Sequence, residues 1–302
     1  MQPSEIRTAV DWAAQEGWNP GLQDIDAFRS VDPKGFFAGF IGDDMVASIS
    51  VVNYDDQFSF LGFYIVRPEW RGQGLGYKLW QAALTHAGAR VVGLDGMVAE
   101  QENYARSGFD LAWRNVRYGG ALRFPTVEDH GATLTRLFDA TPGVLAQDAA
   151  VFPAPRPAFW SHWLGAEGHV SFALERSGIC TGFVTLRPCQ SGFKIGPLVA
   201  ETAQDACTLL AALTPFVPQG AEVFLDVPAP NATAVKIALE MGMTPVFETA
   251  RMYRGGAPEI DLSRVFGITS FELGELRCPA CNQRAFCPAR RRRAQAGLWF
   301  LQ

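Results

Sequence analysis

Arg71-Gly72-Gln73-Gly74-Leu75-Gly76 is the stretch whose reading decides the fold. It lies between the apolar run Phe58-Ser59-Phe60-Leu61-Gly62-Phe63-Tyr64-Ile65-Val66 and a segment with apolar residues at Leu75, Leu79, Ala83 and Leu84. The first reads as a buried strand and the second as an amphipathic helix. Arg67-Pro68-Glu69-Trp70 joins them, and Pro68 ends the strand because it has no N–H to give to a ladder. Glycines ahead of a helix leave bare backbone N–H groups converging on one point, where the helix dipole favours an anion. Arg71 adds a fixed positive charge. The combination predicts a phosphate cradle at Arg71, Gly72, Gln73, Gly74, Leu75 and Gly76.

Two common cradles are excluded by spacing. A dinucleotide fingerprint needs a third glycine where Tyr77 stands, and a P-loop needs G-x-x-x-x-G-K-[ST]. What fits is R-x-x-G-x-G in Arg71, Gly74 and Gly76, which resembles the pyrophosphate loop of the GNAT superfamily of N-acetyltransferases. Further on, Val91-Val92-Gly93-Leu94-Asp95 reads as the next strand and Tyr104-Ala105-Arg106-Ser107-Gly108-Phe109 as a helix end. The latter resembles the place where that superfamily often sets a tyrosine beside the coenzyme sulfur. A positioned phenol at Tyr104 would give a departing thiolate a proton or a hydrogen bond. The plain alternative is a packed ring with its hydroxyl at the surface. The opening residues, Asp11-Trp12-Ala13-Ala14 and Glu16-Gly17-Trp18-Asn19-Pro20-Gly21, resemble a small tandem group within the superfamily.

The resemblance carries expectations. The fold class is α/β (α+β), with two GNAT-like halves, each a mixed, mostly antiparallel sheet flanked by helices. Two strands of the sheet splay, and the pantetheine arm of acetyl-coenzyme A pairs with backbone near Tyr64, Ile65 and Val66. Gly62 in mid-strand suggests a bulge, which would aim a backbone N–H at the thioester oxygen. The first helix-turn-helix roofs the acceptor pocket, making Glu16, Trp18, Asn19 and Asp24 candidate contacts for a cationic amine. Asp95 is the leading candidate base, with Glu16 and Asp24 behind it; a structural acid at a strand end is the competing reading of Asp95. The expected reaction is acetyl transfer to the primary amine of a small molecule. A non-catalytic acyl-coenzyme A sensor and a transferase using another acyl donor are the alternatives.

Composition sets outer bounds. At 302 residues, 48% hydrophobic and 19% charged, the chain reads as a folded protein with room for two cores. No basic-then-apolar leader opens it and no apolar run is long enough to cross a bilayer, so a cytoplasmic protein without a membrane partner is expected. Six scattered cysteines read as thiols. The net charge is −5; residues 275–302 carry six arginines against Glu275, or +5, which leaves −10 on the remainder. An acidic body argues against a nucleic-acid partner. Cys278, Cys281 and Cys287 resemble half a zinc site without a fourth ligand, and no metal is expected. Arg290 to Arg293 read as a solvated basic run.

Order repeats along the chain. Hairpin patterns at 36–52 and 170–186 match, and Leu94-Asp95, Gly108-Phe109 and Tyr118-Gly119-Gly120 are echoed by Leu225-Asp226, Gly242-Met243 and Tyr253-Arg254-Gly255-Gly256. Shared order of unlike elements points to duplication. The expected division is 1–125 for a catalytic first half, 126–274 for a degenerate second half and 275–302 for a disordered tail, with a helical connection over 126–147. The second half lacks R-x-x-G-x-G, carries Glu201 and Asp205 at the corresponding helix start, and has Ala238 where Tyr104's counterpart belongs. Coenzyme binding and chemistry are therefore expected in the first half alone, with the second completing the acceptor pocket or serving structure only.

Overall fold

The computed structural model describes residues 1–128, 131–271 and 298–301. The first half runs α1 (Pro3–Gln15), α2 (Asp24–Val31), β1 (Phe36–Ile41), β2 (Asp44–Asn53), β3 (Phe58–Val66), α3 (Leu75–Ala87), β4 (Val91–Met97), α4 (Gln101–Arg106) and β5 (Asp110–Gly120). The second runs β6 (Thr133–Leu137), α5 (Pro142–Val151), α6 (Pro157–Trp163), β7 (Val170–Arg176), β8 (Ile179–Pro188), β9 (Phe193–Ala200), α7 (Ala203–Ala212), β10 (Val223–Pro228), α8 (Ala232–Glu240), β11 (Thr244–Arg254) and β12 (Val265–Gly267). The order of elements from α1 to β5 recurs from α5 to β11, as the sequence echoes require.

All strands join one mixed sheet in the order β13-β1-β2-β3-β4-β11-β5-β10-β9-β8-β7-β6, where β13 is Leu298–Leu301 and β12 pairs with β9 off this path. Among the described strands only β3 with β4 and β9 with β10 are parallel; the other pairs are antiparallel. The halves trade their last strands. β11, from the second half, lies between β4 and β5, while β5, from the first, lies between β11 and β10.

The trade is locked by two buried ion pairs of matching position. Asp95 on β4 receives Arg251 of β11 through Nε at 2.8 Å and Nη2 at 2.5 Å. Asp226 on β10 receives Arg117 of β5 through Nε at 2.7 Å and Nη2 at 2.9 Å. Each aspartate belongs to one half and its arginine to the other. A third buried pair, Asp24 with Arg187 Nε at 2.8 Å, ties α2 to β8.

Side-chain alternation along each strand feeds two layers of helices. Phe36 and Ala38 enter a core with Ile6, Ala9, Phe28, Phe159 and Trp163, so α1, α2, α5 and α6 share one hydrophobic layer across both halves. Phe37 and Ile49 face the other way, against Leu79, Trp80 and Ala83 of α3. Leu198 and Leu225 do the same against Leu209 of α7 and Ala238 of α8.

Two expectations need correction. The 126–147 connection, expected to be helical, contains strand β6, whose Thr133-Leu134-Thr135-Arg136-Leu137 pairs with β7, and α5 begins only at Pro142 behind the Thr141 cap. Threonine-rich alternation suits an edge strand better than a helix. Within the expected tail, Leu298–Leu301 pairs antiparallel with β1. Cys278, Cys281, Cys287 and Arg290 to Arg293 lie outside the described residues.

The buried pairs give a stability test. Arg117→Met leaves Asp226 charged and unpartnered in the sheet, and should cost about 3–5 kcal/mol in a urea melt. Adding Asp226→Leu should return most of that loss. If Arg117→Met alone melts like the parent, the pair does not hold the exchanged strands.

Candidate active site

The site begins where β3 and β4 part. Their parallel pairing runs from Phe58 with Val91 to Leu61 with Leu94 and goes no further. Beyond it β3 continues against β2 as far as Val66, and β4 continues against β11 as far as Met97. Residues 62–66 and 95–97 therefore face each other across an opening without a shared ladder. Tyr64, Ile65 and Val66 form one lip of it.

A bulge sits at the crotch. Ser48 pairs with Ile65 and Ser50 with Gly62, so β3 carries one extra residue there. Phe63 takes up the extra length with a positive φ of 45°, unusual for a residue with a side chain. The buried Ser48 hydroxyl donates to the Phe63 carbonyl at 2.8 Å and fixes the turn of the backbone. Gly62, singled out in the sequence, is the residue before it.

At the wide end lies the glycine loop. Gly72 and Gly74 have φ of 73° and 78°, and a Cβ at either would meet open space. Gly74 is the N-cap of α3, which has no side-chain cap and no acidic residue in its first turn. Gly76 differs: a Cβ there would collide with the Tyr64 hydroxyl, which therefore rests on the first turn of the helix. Burial, with Glu100 adding, raises the Tyr64 phenol above its ordinary range. Gln73 donates to the Glu69 carbonyl and braces the loop. Leu75 packs into the core below. Arg71 spans from the strand end to α1, donating through Nε to the Val66 carbonyl at 2.7 Å and through Nη2 to Glu16 at 2.6 Å.

Tyr104 is buried on the α3 side of the sheet. Its ring stacks on Trp80 at 5.7 Å, and a Cβ on Gly96 of β4 would strike it. It thus lies beside the β4 lip of the opening.

Other candidates lie elsewhere than expected. Asp95 is fully buried; besides Arg251 it accepts from Asn115 Nδ2 at 2.7 Å, so three of its four acceptor positions are filled. Burial pushes its carboxyl up against the pull of Arg251 and Asn115. The geometry is that of a joint between halves, the competing reading of the sequence. Of the four residues expected to touch the acceptor, Glu16 braces Arg71 instead. Trp18 is buried with its carbonyl accepting from Arg117 at 2.6 Å. Asn19 clasps Ser191 of the β8–β9 turn, and Asp24 pairs with Arg187. Asn19 and Asp24 join the halves, and Trp18 ties the α1–α2 connection to the exchanged strand β5.

A cavity missed by the sequence reading opens on the α1–α2 face beside the crotch. Phe28, Tyr54, Phe60, Trp113 and Phe152 line it, with Arg156 and Arg251. These residues come from four elements and two loops of both halves, and the strand exchange brings them together. Clustered aromatics at 54–60 and 152–160 were the available signal, without a means of pairing them.

The second half has no such opening. β9 and β10 pair from Phe193 with Val223 to Ile195 with Leu225, and then β12 fills the gap, pairing with β9 at Leu198 and Val199. Ile268 N–H donates to the Asp226 carbonyl at 2.9 Å. The first turn of α7 is closed by Thr202, which accepts from Asp205 N–H, and Ala238 is fully buried.

The acetyltransferase (GNAT) family profile matches residues 4–109, and an acetyltransferase (GNAT) domain profile matches 144–267. A curated relative, the holothin acyltransferase of Pseudoalteromonas sp. (strain SANK 73390), is 34% identical over 270 residues, covering 89% of this chain and 92% of its own. The chain belongs to the GNAT acyltransferase family. Among solved structures, a proposed acetyltransferase from Pyrococcus horikoshii superposes with a TM-score of 0.70 at 20% identity, over 83% of this chain and 84% of that one. A tandem GNAT protein of the clavulanic acid biosynthesis pathway gives 0.58 at 14% identity, over 85% and 97%. These GNAT halves thus make a tandem acyltransferase in which only the first keeps an open strand gap and a free glycine turn. Among the described residues no three metal-ligating side chains cluster, and no helix is long and apolar enough to cross a membrane.

The two gaps predict a stoichiometry. Calorimetry with acetyl-coenzyme A should find one site per chain. Gly74→Val, which cannot hold a φ of 78° without strain, should weaken it by about tenfold or more. Two equal sites, or an unaffected variant, would contradict this.

Proposed function

We propose that the protein is an acyl-coenzyme A-dependent N-acyltransferase, with acetyl-coenzyme A as donor and the primary amine of a small molecule as acceptor. One observation carries the reading: the first half keeps its strand gap and glycine turn open, while the second fills the same gap with its own β12. The named activity of the Pseudoalteromonas relative, an acyltransferase of holothin, supports a small-molecule acceptor.

The residues divide the work. Backbone N–H groups of the Gly72–Leu75 turn and the start of α3 receive the diphosphate, with Arg71 beside them. The lips at 62–66 and 95–97 receive the pantetheine amides. The backbone at the Phe63 bulge, held by Ser48, offers a donor to the charge that grows on the thioester oxygen. Tyr104 reaches the same gap from the α3 side and protonates the departing sulfur. The amine arrives from the cavity on the opposite face, so nucleophile and leaving group lie on opposite sides of the sheet. Placement and the bulge donor supply most of the acceleration. Asp95 keeps the exchanged strand seated and takes no proton.

Tyr104→Phe tests the assignment. It should lower kcat by on the order of 10²-fold, while coenzyme affinity by calorimetry stays within about twofold. A parent protein that binds coenzyme and releases no thiol with any amine is a sensor, and the proposal fails.

A further inference from the structure

The aromatic cavity beside the crotch names a class of acceptor. It lies on the face of Phe60, the residue before the last β3 pairing with β4, and of Arg251, which binds Asp95 just beyond that pairing. Whatever occupies it adjoins the point where the strand gap opens.

One part of its wall is built of flat groups. Five rings, those of Phe28, Tyr54, Phe60, Trp113 and Phe152, line it, and two guanidinium planes join them. The rest is aliphatic, from Val199, Ile260, Leu262 and Val265, with Thr269 and Ser270 beside them. Arg251 has its central carbon 5.0 Å from the Phe60 ring centre and 5.7 Å from Trp113; Arg156 lies 3.9 Å from Phe152. Among the described residues no carboxylate lines the cavity. Those behind it are spoken for: Asp95 holds Arg251, and Asp148 holds Arg156 through two bonds at 2.7 and 2.9 Å. The remaining ionisable neighbours are the phenols of Tyr54 and Tyr253, both raised by burial and so neutral.

This wall disfavours an ammonium. A cation entering would be desolvated beside two guanidinium groups and meet no free acid, at a cost of several kcal/mol or more. A planar, uncharged molecule loses little water and gains ring stacking. The arginine N–H groups remain able to donate to a carbonyl on it. Size limits it as well. The cavity volume is about 70 Å³, less than half of the ~150 Å³ of a cavity that takes benzene, so a flat ring enters only in part, with one edge left at the mouth.

Resting on the N-acyltransferase reading, we infer that the acceptor is a planar, neutral amine conjugated to a ring, and that no protein base is needed to prepare it. An amine of that kind already carries its lone pair at neutral pH. In the transfer, the nitrogen–acyl carbon bond forms and the carbon–sulfur bond breaks. The nitrogen gives one proton to water and the thiolate gains one from Tyr104, which is re-protonated from water. The site around Asp95 fits this, since among the described residues no free carboxylate is there to act.

The experiment is thiol release from acetyl-coenzyme A with two matched acceptor sets, small aryl or heteroaryl amines and aliphatic primary amines of equal size. Turnover of the conjugated amines should exceed that of the aliphatic ones by about tenfold or more in kcat/KM. It should stay flat from about pH 6 to 9, where an aliphatic amine with pKa near ~10.4 would gain about tenfold per unit. Trp113→Ala should raise KM for the conjugated amine by about tenfold, leaving coenzyme affinity unchanged. Should that variant not fold, competition in the parent enzyme decides: a planar arene without an amine should compete with the acceptor and not with the coenzyme. Preference for aliphatic amines with a rate that climbs with pH, or an arene that does not compete, overturns this inference and leaves the N-acyltransferase standing. Coenzyme binding without thiol release from either set overturns both.

Discussion

Two buried aspartate–arginine pairs decide how this molecule is put together. Asp95 with Arg251 and Asp226 with Arg117 each bind an acid of one half to a base of the other, at corresponding positions of a repeated fold. Either charge alone inside the sheet would cost several kcal/mol, so the chain is stable only with both terminal strands exchanged. From that follow the unbroken sheet, the hydrophobic layer shared by α1, α2, α5 and α6, and the cavity at the seam. One open and one filled gap are laid on a frame that is nearly symmetric.

That asymmetry comes from small differences. In the first half the β3–β4 gap is open, Gly74 leads α3 without a cap, and Tyr104 stands beside β4. In the second, a three-residue strand occupies the gap, Thr202 closes the helix start and alanine replaces the phenol. A gap filled by one's own backbone satisfies its hydrogen bonds permanently, so the second half spends its cleft on rigidity. Its remaining contribution is wall: Phe152, Arg156 and Arg251 face the first half's Phe28 and Phe60.

Much of this was legible in the sequence, because it was local. The strand, glycine turn and helix of 58–87 show as a run, a spacing and a period, and Gly62 marked the neighbourhood of the bulge at Phe63. The repeated order of unlike elements foretold two halves. What escaped was long-range. Glu16, Trp18, Asn19 and Asp24 read as pocket residues because acids beside an indole suit a cation, yet their partners are Arg71, Arg117, Ser191 and Arg187, most of them over 90 residues away in the chain. Asp95 has the same history, its partner lying at 251. A pattern within a few residues encodes an element; an ion pair across the chain is encoded only in the finished topology. The aromatic cavity was hidden for that reason too.

The exchange of β5 and β11 also governs when the molecule comes into being. The outer edge of β4, which carries the Tyr104 side of the gap, is covered by a strand that ends at Arg254 of a 302-residue chain. During synthesis from the N-terminus, the first half keeps that edge bare until β11 has emerged from the ribosome. The open gap is thus completed only once its filled twin has been made.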